Sequence, residues 1–235
     1  MLLGVNIDHI ATLRNARGGE NPSPIEGAKI CMKLNVHGIT AHLREDRRHI
    51  KDEDIKQLKS LGCRLNMEMA ATEEMQKIAL SVLPHACCIV PEKRKEITTE
   101  GGLDVASSQE KMNKFVKPLV DNGILVSMFI APDKNQILAS HKTGAQYIEL
   151  HTGAYSCAFG KENEETEFQK LKSAAEFAQN LGLKVNAGHG LDYNNVRRMH
   201  EIRGIEELNI GHSIIARAIF TGLDNAVIEM MNLIK

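Results

Sequence analysis

Gly38–Ile50, GITAHLREDRRHI, is the stretch on which the fold turns. It opens as a short apolar run and ends in a burst of charge. Successive side chains of a strand point to opposite faces. Thr40, His42 and Arg44 therefore share one face, and Ile39, Ala41 and Leu43 the other. The apolar face suits a covering helix. The polar face must line something wet or charged, because buried polar groups need partners. With Arg47, Arg48 and His49 just beyond, His42 and Arg44 form a basic corner that fits a phosphorylated small molecule. The alternative is a solvated basic turn, partly neutralised by Glu45 and Asp46.

Working outward, seven more runs read as strands: Leu3–Asp8, Arg64–Met69, Ala86–Pro91, Leu125–Ile130, Tyr147–Thr152, Lys184–Gly188 and Glu207–Gly211. Helical composition fills Pro24–Asn35, Asp52–Leu61, Thr72–Leu83, Ser108–Asn122, Asp133–Thr143, Glu164–Leu181, Asp192–His200, Ser213–Phe220 and Asp224–Ile234. Ser23 and Thr72 are placed to cap, Pro24 sits at a first helical position, and Gly62, Gly123, Gly144 and Gly182 stand at helix ends. Ile10–Ser23 reads as the first strand-to-helix loop, with Arg14, Arg17 and Gly18-Gly19. Strand alternating with helix eight times predicts a (β/α)8 TIM barrel with extra helices, one domain over residues 1–235.

Parity favours the barrel over an open sheet, whose central strands are apolar on both faces. Asn6 and Asp8 oppose Val5 and Ile7. Asn66 and Glu68 oppose Leu65, Met67 and Met69. Glu149 and His151 oppose Ile148 and Leu150. Asn186 opposes Val185 and Ala187, and Asn209 opposes Leu208 and Ile210. The polar set fills the barrel interior, which is unusual for such a core and marks a functional site.

The chain has 235 residues, 43% hydrophobic and 25% charged, with a net charge of −1. No global field recruits nucleic acid or an anionic membrane, so any anion must be held locally. No apolar run has the length of a membrane span. MLLGVNIDHI lacks a basic n-region and carries Asp8, which reads against a signal peptide. Five scattered cysteines without a CxxC predict reduced thiols in a cytoplasmic protein and no cysteine-built zinc site. Cys87 and Cys88 read as packing residues on opposite faces of one strand.

Chemistry belongs at the C-terminal ends of barrel strands. Those ends read Asp8-His9, His42-Leu43-Arg44, Glu68, Glu149-Leu150-His151, His189 and His212. Carboxylates and imidazoles converging on one mouth suit general acid–base work. Asn186-Ala187-Gly188-His189-Gly190 and Asn209-Ile210-Gly211-His212-Ser213 follow strands seven and eight, where such barrels commonly hold phosphate. With the Arg44 corner, two anion sites share one mouth: two phosphorylated substrates or one bisphosphate. Lys93–Ser107, KRKEITTEGGLDVAS, has a lid's length; Thr98 and Thr99 offer hydroxyls and Gly101-Gly102 a hinge.

VNIDHIATLRNARG, GITAHLREDRRHI, NMEMA, VPEKR with TTEGGLDV, IELHTG, VNAGHGL and LNIGHSII together resemble the pyridoxine 5′-phosphate synthase family, from about residue 4 to 222. Ala154–Glu167 matches that family less well. The resemblance implies a (β/α)8 barrel assembled as a homo-octamer built from dimers. It implies condensation of 3-amino-2-oxopropyl phosphate with 1-deoxy-D-xylulose 5-phosphate, releasing phosphate and water, with no cofactor or metal. His42 and Glu68 match the family's proton acceptors, His189 its proton donor, and Glu149 the residue stabilising the transition state. Asn6, Arg17, Gly190, Gly211 and His212 match contacts to the amino-ketone phosphate. Asp8, His9, Arg44, His49 and Thr98 match contacts to the deoxyxylulose phosphate, and the Thr98 loop matches a lid.

Two rivals stand beside this reading. One is a metal-dependent sugar-phosphate isomerase or hydrolase with His42, Glu68, Glu149, His151 and His189 as ligands. The first strand carries no HxH pair. The other is a non-catalytic sugar-phosphate binder, which would not need so many titratable groups.

Overall fold

The computed structural model describes residues 1–93, 96, 98 and 101–235. Eight parallel strands close into a barrel in chain order. They are β1 (Leu2–Asn6), β2 (Gly38–His42), β3 (Leu65–Met69), β4 (Ala86–Ile89), β5 (Leu125–Ile130), β6 (Tyr147–His151), β7 (Lys184–Gly188) and β8 (Ile205–Ile210). β8 pairs with β1 to complete the closure. The helices are α1 (Asp8–Arg17), α2 (Pro24–Lys33), α3 (Asp52–Ser60), α4 (Glu73–Val82), α5 (Gln109–Asp121), α6 (Lys134–Lys142), α7 (Gly153–Ala158), α8 (Glu164–Asn180), α9 (His212–Thr221) and α10 (Leu223–Leu233).

Local chemistry sets the helix starts. The Ser23 hydroxyl accepts the Glu26 N–H, and the Thr72 hydroxyl accepts the Met75 N–H. Asp133 accepts the N–H groups of Asn135 and Gln136 at 2.9 and 3.0 Å. Each side chain satisfies donors that a helix start leaves open.

Side-chain parity sets the layers. Val5, Ile39, Ala41, Leu65, Met67, Val126, Met128, Ile148, Leu150, Val185, Ala187 and Leu208 are fully buried in the apolar shell between strands and helices. Cys87 joins that shell, while Cys88 on the other face approaches Glu149 at 3.8 Å. Inside, Thr40 donates to Asn209 Oδ1 at 2.9 Å and Asn209 Nδ2 donates to Glu149 Oε2 at 2.5 Å. β2, β4, β6 and β8 are not neighbours in the sheet. These contacts therefore cross the interior, and Thr40, Cys88, Glu149 and Asn209 form one layer from alternate strands. A cavity of about 250 Å³ opens at the N-terminal end of the barrel, lined by His37, Arg64, His85, Lys184 and Glu207 among others.

Three expectations are corrected. Residues 8–17 are helix α1, not loop, so β1 ends at Asn6 and Asp8 opens the helix. The buried stripe of α1 is Asp8, Ile10, Ala11 and Arg14. Two of those four are charged, which hides the apolar period. Second, the short polar segment expected as Asp192–His200 is a 3-10 helix, Val196–Glu201. Third, Arg47 and Arg48 do not face the mouth as a basic corner. Arg47 is held by Asp52 and Glu74, and Arg48 by Asp46. Glu45 pairs instead with Lys93 at 2.7 Å.

Candidate active site

The C-terminal mouth of the barrel gathers three groups of polar side chains. In the first, His42 and Glu68 are register partners at the ends of β2 and β3. His42 Nδ1 lies 3.8 Å from Glu68 Oε2. Asp8 Oδ1 accepts the His42 backbone N–H at 2.9 Å, and Asp8 Oδ2 accepts from Asn6 Nδ2 at 3.0 Å. One ligating atom from each of Asp8, His42 and Glu68 lies within 4.8 Å of the others. Burial raises the Glu68 carboxyl well above its ordinary value, and the nearby Glu149 and Asp8 raise it further. Burial likewise raises Asp8, although its bond from the His42 N–H opposes the shift. Glu149, one layer down, is pushed up to about 7 by burial, against the hydrogen bond from Asn209. A carboxyl near 7, as at Glu149, exchanges protons near neutral pH.

The second group is aromatic. His189 follows β7 with φ +78, a left-handed backbone that ordinary residues rarely adopt. The Thr152 hydroxyl pins that turn, at 2.8 and 2.6 Å from the carbonyls of Gly188 and His189. The His189 ring stacks on His151, centroids 4.8 Å apart, and Phe129 stands edge-on to His151 at 5.2 Å. Burial and the neighbouring His189 push His151 down to about 4; burial lowers His189 as well. His151 is thus a neutral platform under His189.

The third group is His9, His49 and His212. The His9 ring lies 5.0 Å from His212 and 6.2 Å from His49. Thr12 bonds His49 Nδ1 at 2.8 Å. The buried Arg14–Asp54 pair ties α1 to α3, and Arg14 also donates to the His49 carbonyl at 3.2 Å. Gly211 precedes α9, whose first turn no side chain caps. A Cβ at Gly211 would lie 2.8 Å from Asn6 Cβ, so this turn and Asn6 are packed together. Gly190, φ +81, lies against Ser156. Arg44 stands 3.6 Å from Asp46, in the loop after β2.

Most residues singled out from sequence therefore converge. Arg17 does not by its own helix. It sits exposed at the end of α1, nine residues from Asp8, or roughly 14 Å of helical rise. Thr98 lies in a turn in which its hydroxyl accepts the Gly102 N–H at 3.2 Å. A Cβ at Gly101 would meet the His151 ring at 2.9 Å, which puts Gly101 against the second group. Thr99 lies outside the described residues.

Sequence reasoning gave no role to Glu92, whose carboxylate reaches His42 Nε2 at 2.9 Å. Its place just past the fourth strand was the available signal. His151 was legible as a strand end, but its stacking on His189 was not.

A closed parallel barrel with buried carboxyls and imidazoles at its C-terminal mouth defines a (β/α)8 enzyme built for acid–base chemistry. The family described as "Pyridoxal phosphate biosynthesis protein PdxJ" matches residues 3–235. The chain belongs to that family. It is 54% identical to pyridoxine 5′-phosphate synthase of Geotalea uraniireducens (strain Rf4), over 99% of this chain and 98% of the relative. It is 56% identical, with the same coverage, to the protein of that name from Geobacter sp. (strain M21). Solved structures extend the likeness in fold alone. A mutant tryptophan synthase alpha-subunit from Pyrococcus furiosus aligns with TM-score 0.67 at 11% identity, over 98% of this chain and 97% of that one. Phosphoribosyl anthranilate isomerase from Thermus thermophilus aligns with TM-score 0.56 at 12% identity, over 99% and 100%.

Proposed function

We propose that this chain is a pyridoxine 5′-phosphate synthase. It condenses 3-amino-2-oxopropyl phosphate with 1-deoxy-D-xylulose 5-phosphate and releases phosphate and water. The observation that carries the reading is the Asp8–His42–Glu68 cluster at one barrel mouth, in a chain with full-length relatives of that name. Nothing in those relatives favours a metal-dependent isomerase or hydrolase.

The substrate brings its own amine, and among the described residues no strand ends on a lysine, so no enzyme Schiff base is needed. Imine formation, dehydration, phosphate elimination and ring closure are successive proton transfers. His42 and Glu68 accept protons, His189 donates, and Glu149 stabilises developing charge. The raised Glu68 and Glu149 carboxyls support these roles. Asn6, Gly190, Gly211 and His212 hold the amino-ketone phosphate, and Arg17 joins them by reaching back from the exposed end of α1. The uncapped start of α9 supports this, since open N–H groups attract anions. Asp8, His9, Arg44, His49 and Thr98 hold the deoxyxylulose phosphate, under a lid that includes Thr98.

The reading needs no metal or cofactor. It includes a single barrel domain over residues 1–235, a cytoplasmic location and a homo-octamer built from dimers. Ile219 and Phe220, 65% and 87% exposed on α9, support a subunit contact. Among the described residues no helix is long and apolar enough to cross a membrane. The test is to mix purified protein with both substrates and follow the pyridine chromophore and free phosphate. Without either signal the proposal fails.

A further inference from the structure

We infer that Glu92 is a positioning residue. It holds His42 as the Nε2–H tautomer, keeps the Nδ1 lone pair free for a proton, and ties that state to the base of the 93–107 loop. This rests on the proposed role of His42 as proton acceptor.

His42 Nε2 lies 2.9 Å from Glu92 Oε1, and the Glu92 side chain is 5% exposed. The other oxygen accepts the Glu45 N–H at 3.0 Å. Burial pushes the Glu92 carboxyl up, but the bonds from His42 and the Glu45 N–H outweigh it and leave the group below its ordinary value. An ionised carboxylate can only accept, so Nε2 must carry the hydrogen. In the neutral ring Nδ1 is then a bare lone pair, 3.8 Å from Glu68. A proton taken from substrate forms a bond at Nδ1, and the resulting imidazolium is stabilised by Glu92 at Nε2. The proton later leaves from Nδ1, and Glu92 itself is never protonated.

Glu92 is anchored by the loop that it begins. Glu96 Oε2 accepts the N–H groups of Glu92 and Lys93 at 3.1 and 3.0 Å, and Lys93 pairs with Glu45.

The test is nitrogen-15 NMR of the His42 ring together with kinetics. Wild type is expected to show a protonated Nε2 and a bare Nδ1, and Glu92→Ala a mixture of tautomers. Glu92→Gln keeps an acceptor for the Glu45 N–H. It should lose about 100-fold in kcat with KM for both substrates within about threefold. A wild-type ring protonated at Nδ1, or a Glu92→Gln enzyme with kcat within about twofold of wild type, overturns the inference. Wild-type protein that turned over neither substrate would sink the proposed function, and the tautomer measurement would still decide this one.

Discussion

Asn209 donates across the barrel to the Glu149 carboxylate at 2.5 Å, joining two strands that are not neighbours in the sheet. The Asn209 Oδ1 atom in turn accepts from Thr40. The barrel centre is thus a polar layer holding a carboxyl whose charge is costly to bury.

That cost makes stability depend on pH. The folded Glu149 pKa of about 7 lies above its ordinary value of 4.5. The stabilising contribution of the neutral group is fully present below about pH 4.5 and is lost as pH rises through 7. Glu149→Gln, neutral throughout, should gain about 1–3 kcal/mol over wild type at pH 8 and roughly nothing at pH 4.5. Urea unfolding at both pH values measures this. An equal effect at both would refute it.

Glu68→Gln should bind both phosphorylated substrates yet lose about 1,000-fold in turnover. Calorimetry with single substrates and product assays separate the two effects. Near-normal turnover would remove Glu68 from proton transfer.

Gly153 is packed against the His151 ring, with a would-be Cβ 2.5 Å from Cε1. Gly153→Ala should displace His151 and the stacked His189, lowering kcat about tenfold. Adding His151→Ala relieves the clash, so the double variant should unfold at higher urea than Gly153→Ala alone. If it does not, the contact is not the cause.

The buried Arg14–Asp54 pair, each side chain 9% exposed, anchors α1 beside His49. Asp54→Asn leaves a buried guanidinium without its counter-charge and should cost about 3–5 kcal/mol. Arg14→Met with Asp54→Leu should recover much of that loss. Denaturation midpoints of the single and double variants decide it.

The sequence by itself determined the barrel. Asn66 and Glu68 against Leu65 and Met67, or Glu149 against Ile148, reveal a polar inner face because strand parity is a local property. It likewise placed His42, Glu68 and His189 at strand ends, whereas Glu149, read there too, sits inside β6 in the polar layer below the mouth. Helix α1 escaped because Arg14 belongs to its buried stripe, and only a partner 40 residues away, Asp54, lets it be buried. The tertiary structure alone decided the pairings: Glu92 on His42, His151 under His189, Asn209 on Glu149. It also turned Arg47 and Arg48 away into ion pairs. The physical reason is range. A side chain's face follows from its immediate neighbours, whereas its partner and its protonation follow from whatever barrel closure brings across the interior.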